Sequence, residues 1–171
     1  MLPPNGVNPG EKMIKVGDEV PAIMMREVSA DGPNIVSTTD YFAGKKIALF
    51  GLPGAFTSTC SARHLPSFAD NVEAFRDKGV DIIACISVND AAVMKAWSEH
   101  SGTSGKVFML SDGNGEFARG TGTEIDLSKN GMGLRSRRYS MLIDDGVVKH
   151  FNLEEPGRFG ISSGDHLLTQ I

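Results

Sequence analysis

Ile47-Ala48-Leu49-Phe50-Gly51-Leu52 constrains this chain more than any other stretch, because it offers water no polar face on either side. It is too short for a buried helix and is bounded by Lys45-Lys46 and Pro53-Gly54, so it reads as a strand covered on both faces. A strand of that kind requires a sheet with a layer of structure on each side. The next segments supply the layers. Leu65, Phe68, Val72 and Phe75, at intervals of three, four and three, predict one continuous helix, with Gly79 where a left-handed terminal glycine belongs. Val80 to Val88 reads as a second buried strand. Asn89 or Asp90 is placed to cap a helix running through Val93, Ala96 and Trp97, and Val107 to Leu110 reads as a third strand.

Hairpin signals flank this β-α-β-α-β run. Ile23 to Glu27 and Asn34 to Thr38 surround Asp31-Gly32-Pro33; Ser140 to Ile143 and Val147 to Phe151 surround Asp144-Asp145-Gly146. Between them, Gly113 to Gly133 is rich in Gly, Thr, Ser and Asp and reads as loop, with one helical turn at Glu116 to Arg119. A short helix from Ser163 to Ile171 closes the chain. The expected fold is a single three-layer α/β domain with a mixed central sheet flanked by helices. It spans residues 13–171, and the Pro/Gly/Asn-rich residues 1–12 read as a flexible tail, with Met13 a second candidate start.

Composition excludes several classes of function. Seventeen Lys and Arg against twenty-one Asp and Glu give a net charge of −4, and no dense basic block is present, so nucleic acid is not an expected partner. No run approaches the roughly 18 apolar residues of a membrane span, and no membrane partner is expected. The N-terminal residues show no basic segment leading into an apolar one. The expected compartment is the reducing cytoplasm, where two cysteines are reactive or buried rather than bridged.

Pro53-Gly54-Ala55-Phe56-Thr57-Ser58-Thr59-Cys60-Ser61 lies between the first buried strand and the long helix, which places Cys60 in the helix's first turn. Unpaired N–H groups and the positive end of the helix dipole there favour a thiolate. A thiol near pKa 8.5 is about 3% ionised at pH 7, whereas one near 6 is about 90% ionised. Because nucleophilicity falls with pKa, ionisation alone does not make a fast enzyme. Strand, cysteine loop, helix is where a thioredoxin-like domain carries Cys-x-x-Cys, but here Thr57 replaces the first cysteine. A hydroxyl forms no disulfide; it accepts and donates hydrogen bonds. Such a site suits attack on a peroxide O–O bond, with the N–H groups of Thr59 and Cys60 positioned to hold the second oxygen. Preorganised donors of this sort contribute about 10²–10³ each in rate.

These residues resemble the signature of the peroxiredoxins, P-x-x-x-T-x-x-C, at Pro53, Thr57 and Cys60. The wider match, with His64-Leu65-Pro66 after the cysteine, is similar to the type II (atypical, thioredoxin-fold) branch. Cys85-Ile86-Ser87-Val88-Asn89-Asp90, Met94-Lys95-Ala96-Trp97 and Arg138-Tyr139-Ser140-Met141 continue the resemblance over Ile14 to Ile171. The resemblance implies a thioredoxin-like fold and a thiol-dependent peroxidase acting on hydrogen peroxide and organic hydroperoxides, without metal or other cofactor. It implies that Cys60 is the peroxidatic nucleophile passing through a sulfenic acid. It makes Thr57 the residue that hydrogen-bonds the bound peroxide, Pro53 a shield against water, and Arg138 the cation that supports the thiolate and polarises the peroxide. Arg138 is preferred over Arg63, Arg135 and Arg137 because it directly precedes the aromatic-Ser-Met strand start. A homodimer packed through loops near the active sites is also implied.

Cys85 falls within the second strand, 25 positions after Cys60. It reads as a small apolar core residue; the sharper alternative is a resolving cysteine, found at this spacing in some relatives. Ser162 and Ser163 stand where some animal relatives carry theirs. An external thiol (glutathione, glutaredoxin or thioredoxin) is therefore the expected reductant.

Other motifs carry less. Gly160-Ile161-Ser162-Ser163-Gly164 fits an esterase pattern, yet only the adjacent Asp165 and His166 follow it, so a helix-capping serine pair is the better reading. Asp112 to Glu116 begins like a calcium loop but is out of register and reads as a turn. Cys60 and His64 have no further ligands at metal spacing, and His64 is expected to line the site's entrance. Two rivals remain at this level: a slow peroxide sensor or holdase, and a monothiol disulfide oxidoreductase.

Overall fold

The computed structural model describes residues 13–171; the expected tail, residues 1–12, lies outside them. Strands β1 (Met24–Ser29) and β2 (Gly32–Ser37) form the first hairpin, pairing Met24 with Ser37 through to Ser29 with Gly32. Its turn therefore sits at Ala30-Asp31, earlier than Asp31-Gly32-Pro33 suggested. Ser37 then caps a helix that the sequence pattern did not reveal, α1 (Thr38–Phe42), by accepting from the Asp40 amide.

The expected α/β alternation follows. It comprises β3 (Lys46–Leu52), a helical segment, β4 (Ile82–Ser87), α4 (Ala91–Ser101) and β5 (Phe108–Ser111). Asp90 caps α4 through the Val93 amide at 2.9 Å, and Gly102 ends it in the left-handed region. The predicted single helix after β3 is instead two, α2 (Leu65–Ala69) and α3 (Val72–Asp77), preceded by a π-helical turn at Cys60–His64. Both departures have local causes. Pro66 has no N–H, and its ring clashes with the carbonyl four residues back; the widened turn sends the Leu65 N–H to the Cys60 carbonyl. At the second break, the Asn71 side chain donates to the Ser67 carbonyl at 2.6 Å, while its own N–H goes to Phe68. That captures the acceptor a continuing α-helix would have used.

The Gly- and Thr-rich region holds more structure than its composition suggested. Helix α5 (Glu116–Thr121) is capped by Asp112, whose carboxylate accepts from the Phe117 and Ala118 amides at 2.9 and 3.0 Å. The short strands β6 (Glu124–Asp126) and β7 (Leu134–Ser136) then pair in a separate two-stranded sheet. Strands β8 (Tyr139–Asp144) and β9 (Val147–Leu153) form the second hairpin around Asp145-Gly146, both residues at positive φ as this turn requires. Helix α6 (Gly164–Gln170) is capped by Ser163.

The main sheet has seven strands in the order β2-β1-β5-β4-β3-β8-β9. Strands β3, β4 and β5 run parallel at its centre, with antiparallel partners outside them. Alternate residues feed two cores. Ala48, Phe50, Leu52, Ile83 and Cys85 face Cys60, Phe68, Phe75, Trp97 and Leu167. Ile47, Leu49, Ala84 and Ile86 face Tyr41, Phe42, Phe117 and Tyr139 on the other side. This is the mixed sheet in three layers that the sequence pattern predicted. The arrangement packs Cys60 in one core with Phe50 and Leu52 of β3, next to the central strand β4.

Candidate active site

Helical backbone begins at Ser58, two residues before Cys60, so the cysteine occupies the first turn as expected. The loop leading to it is held in place from β4: the Asn89 Oδ1 atom accepts from the Ala55 amide at 3.0 Å and from the Ser87 hydroxyl at 2.6 Å. Phe56 takes φ 63, a left-handed conformation rare for a bulky side chain. This sharp bend lets the chain turn from strand into helix. Trp97 on α4 braces the other flank, donating from Nε1 to the Ser61 hydroxyl at 3.0 Å.

The sulfur of Cys60 is fully buried. Nη2 of Arg138 donates to it at 3.2 Å, across 78 residues of sequence. Among the four arginines weighed from the sequence, the structure brings Arg138 to the sulfur. Arg135 donates to the Pro53 and Met132 carbonyls, Arg137 to the Glu154 carbonyl, and Arg63 lies over the Phe159 ring at 4.7 Å. Thr57 donates its hydroxyl proton to the Gly54 carbonyl at 2.7 Å, which leaves its oxygen free to accept. A cavity of about 250 Å³ opens beside these groups, lined by Pro53, Thr57, Thr59, Met132 and Arg138 among others. The sulfur itself is not on the cavity wall. A larger cavity, about 340 Å³, lies between β1, β5 and α4, with no cysteine or histidine lining it.

His64 is misplaced by the sequence reading. It does not line an entrance; it is fully buried, packed among the rings of Phe50, Phe68 and Phe159. Its Nε2 is 3.0 Å from the Ser162 carbonyl, which can only accept, so Nε2 carries the proton. Nδ1 then accepts from Nη1 of Arg138 at 2.8 Å. Burial, reinforced by the Arg138 charge, pushes its pKa down to about 3, so the ring is neutral. The helical spacing from Cys60 was the available signal; no pattern in the sequence pointed to the contact between His64 and Arg138.

Ser163 caps α6, but Ser162 does not share that role as the paired reading had it. Its carbonyl serves His64, and its buried hydroxyl has no partner. Cys85 is buried in β4 in the same core as Cys60, and both thiols are free. Burial, with the neighbouring Cys60 sulfur adding to it, pushes the Cys85 thiol well up, which keeps it protonated and unreactive. Among the described residues, no group of three or more His, Cys, Asp or Glu is placed to hold a metal.

The Redoxin family model matches residues 15–166. Peroxiredoxin-2E, chloroplastic, of Arabidopsis thaliana is 48% identical, over 92% of this chain and 69% of the relative. Peroxiredoxin-2B of the same plant is 45% identical, over 92% of this chain and 98% of the relative. Reduced Prx3 of Vibrio vulnificus, solved in complex with hydrogen peroxide, is 41% identical with a TM-score of 0.89, over 92% of this chain and 99% of that one. A buried cysteine at a helix start with an arginine on its sulfur, in a chain this similar over its described length, leaves one assignment: it belongs to the peroxiredoxins, in their type II branch.

Proposed function

We propose that this chain reduces hydrogen peroxide and organic hydroperoxides through Cys60, which an external thiol then restores. The observation that carries the reading is the 3.2 Å contact between the Arg138 guanidinium and the Cys60 sulfur in the first helical turn. A cation there favours the negative sulfur that attack requires. The thiolate bonds to the terminal peroxide oxygen, the O–O bond breaks, and the electron pair leaves on the distal oxygen. Cysteine sulfenic acid and an alkoxide or hydroxide result, and the latter takes a proton to become alcohol or water. Thr57, already donating to Gly54, accepts from the hydroperoxide O–H. Arg138 and the first-turn N–H groups of Thr59 and Cys60 receive the developing negative charge. Pro53, on the cavity wall, excludes water from the sulfur.

The sulfenic acid then condenses with an external thiol, releasing water, and a second thiol displaces the mixed disulfide to regenerate Cys60. Glutathione, glutaredoxin or thioredoxin fits this step, because Cys85 is locked in a central strand. Cys60 is fully buried, so recycling requires the helix start to open toward the reductant. The homodimer implied by the family resemblance would pack through this loop, where Phe56 is 49% exposed. Two free thiols fit a reducing compartment such as the cytoplasm; no helix among the described residues is long and apolar enough to cross a membrane.

Cys60→Ser tests the assignment. Peroxide consumption with a thiol donor falls to background in the folded variant; turnover near the parent value would falsify the role of Cys60. Stopped-flow oxidation of the parent protein separates a peroxidase from a slow sensor.

A further inference from the structure

We infer that the cavity beside Cys60 selects organic hydroperoxides that carry a carboxylate, with Arg137 and Arg158 as the specificity-determining residues. The inference rests on the reading of Cys60 as the reacting sulfur and names a substrate class for that site. A water molecule takes up about 30 Å³ of liquid. A cavity of about 250 Å³ therefore has room for far more than the two oxygens of hydrogen peroxide. Ile125 in β6, Leu127 just after it, and Met132 give that extra room apolar walls. An apolar substituent on the peroxide gains by leaving water there.

Charge narrows the class further. Three arginines line the cavity, Arg137, Arg138 and Arg158, against two carboxylates, Glu154 and Glu155. Arg138 is committed to the sulfur and to His64. Oε1 of Glu154 is committed to the Gly160 and Ser162 amides, at 2.6 and 2.9 Å, and Glu155 is exposed. The ion pairs among the described residues include neither Arg137 nor Arg158.

Arg137 is partly buried and only partly satisfied. Its Nη2 donates to the neutral Glu154 carbonyl at 2.8 Å, and its Nε is buried with no partner. A guanidinium drawn out of water without an anion loses solvation that this carbonyl does not replace. A substrate carboxylate would supply the missing charge, in the planar geometry that arginine recognises best. Arg158 reaches the same cavity from the turn Glu155-Pro156-Gly157-Arg158. Proline second, glycine third at φ 81, and the Arg158 amide on the Glu155 carbonyl at 3.0 Å fix that turn's backbone. Glutathione also carries carboxylates, but its body is polar peptide. The apolar walls favour a hydroperoxide as the bearer of the charge.

Matched substrates read the charge by itself: hydroperoxyhexanoic acid, with the O–O group at the chain end opposite the carboxylate, and its methyl ester. Stopped-flow oxidation of Cys60 in the parent protein is about tenfold faster with the acid, the scale of one charge-assisted hydrogen bond. The ratio shrinks as salt is raised. A parent ratio near one, or a preference for the ester, overturns the inference. Arg137→Gln keeps a donor for the Glu154 carbonyl but removes the cation, and Arg158→Gln removes a charge from the exposed turn. Each lowers the acid-to-ester ratio by about threefold or more, and an unchanged ratio in both overturns it. If Arg137→Gln does not fold, Arg158→Gln decides. A KM for glutathione that rises in these variants while the acid-to-ester ratio holds assigns the arginines to the reductant, which also overturns it. Failure of the Cys60 reading has a different signature, since Cys60→Ser would then still consume hydrogen peroxide. Failure of the present inference leaves that variant inactive and shows only in the acid-to-ester and glutathione measurements.

Discussion

Arg138 concentrates the chemistry of the site in one side chain, because its two terminal nitrogens face the sulfur and the imidazole. Arg138→Ala removes the cation and leaves both partners buried without it. Oxidation by peroxide slows by about 10²-fold or more, with far-ultraviolet circular dichroism unchanged; a rate within twofold of the parent sinks its role. Cys85 gives the opposite expectation. Its thiol is packed in the core, so Cys85→Ala removes only a sulfur-sized volume, at a cost of about 1 kcal/mol. Turnover with glutathione or another small thiol donor stays near the parent value, and near-total loss in the folded variant contradicts an external reductant.

The elements fit together through positions where a side chain would not. An added methyl at Gly164, the first residue of α6, would lie 2.3 Å from the Ser67 carbonyl oxygen in α2. That close approach seats α6 on the segment carrying Asn71, whose side chain also reaches Asp165 at 3.0 Å. Gly164→Ala must push the two helices apart, and backbone cannot yield as a flexible side chain does. A loss of about 1–3 kcal/mol is expected, measured as a lower denaturant midpoint at unchanged m-value; an unchanged midpoint shows that the seam is loose. Ser162 lies two residues away, so the variant also tests whether this seam supports the loop over His64.

At the scale of the molecule, two buried titrating groups act on stability in opposite directions. His64 is held neutral, with its pKa moved from the ordinary 6.5 to about 3. Between those values the unfolded chain binds the proton and the folded one does not, so stability falls as pH drops through that window. Asp112 runs the other way. Burial outweighs its two amide bonds and raises its pKa from 3.8 to about 6, so the folded chain binds the proton first and gains stability over that narrower range. His64→Gln isolates the first effect: its unfolding free energy declines less steeply than the parent's between about pH 6.5 and about pH 4. Parallel curves for the two proteins contradict a neutral buried imidazole.

Local pattern carried the framework. The apolar run at 47–52, the capping Asp90, the Asp145-Gly146 turn and the cysteine ahead of a helix all express their structure within a few residues, through burial, capping and permitted φ. The helix through Leu65 to Phe75 was misread because its periodicity survives two backbone breaks, one set by Pro66 and one by the Ser67–Asn71 contact under α6. Strands β6 and β7 lacked a local signal, since three residues each are too few to show alternation. His64 shows the limit most clearly. One face of a helix is legible from spacing, but the neutrality of its ring comes from burial, reinforced by Arg138, 74 residues away, and its tautomer is set by a carbonyl 98 residues away. Amino-acid order alone therefore determined which sulfur stands at a helix start. Folding decided which partners close around it, because hydrogen-bond geometry and desolvation exist only once distant segments meet.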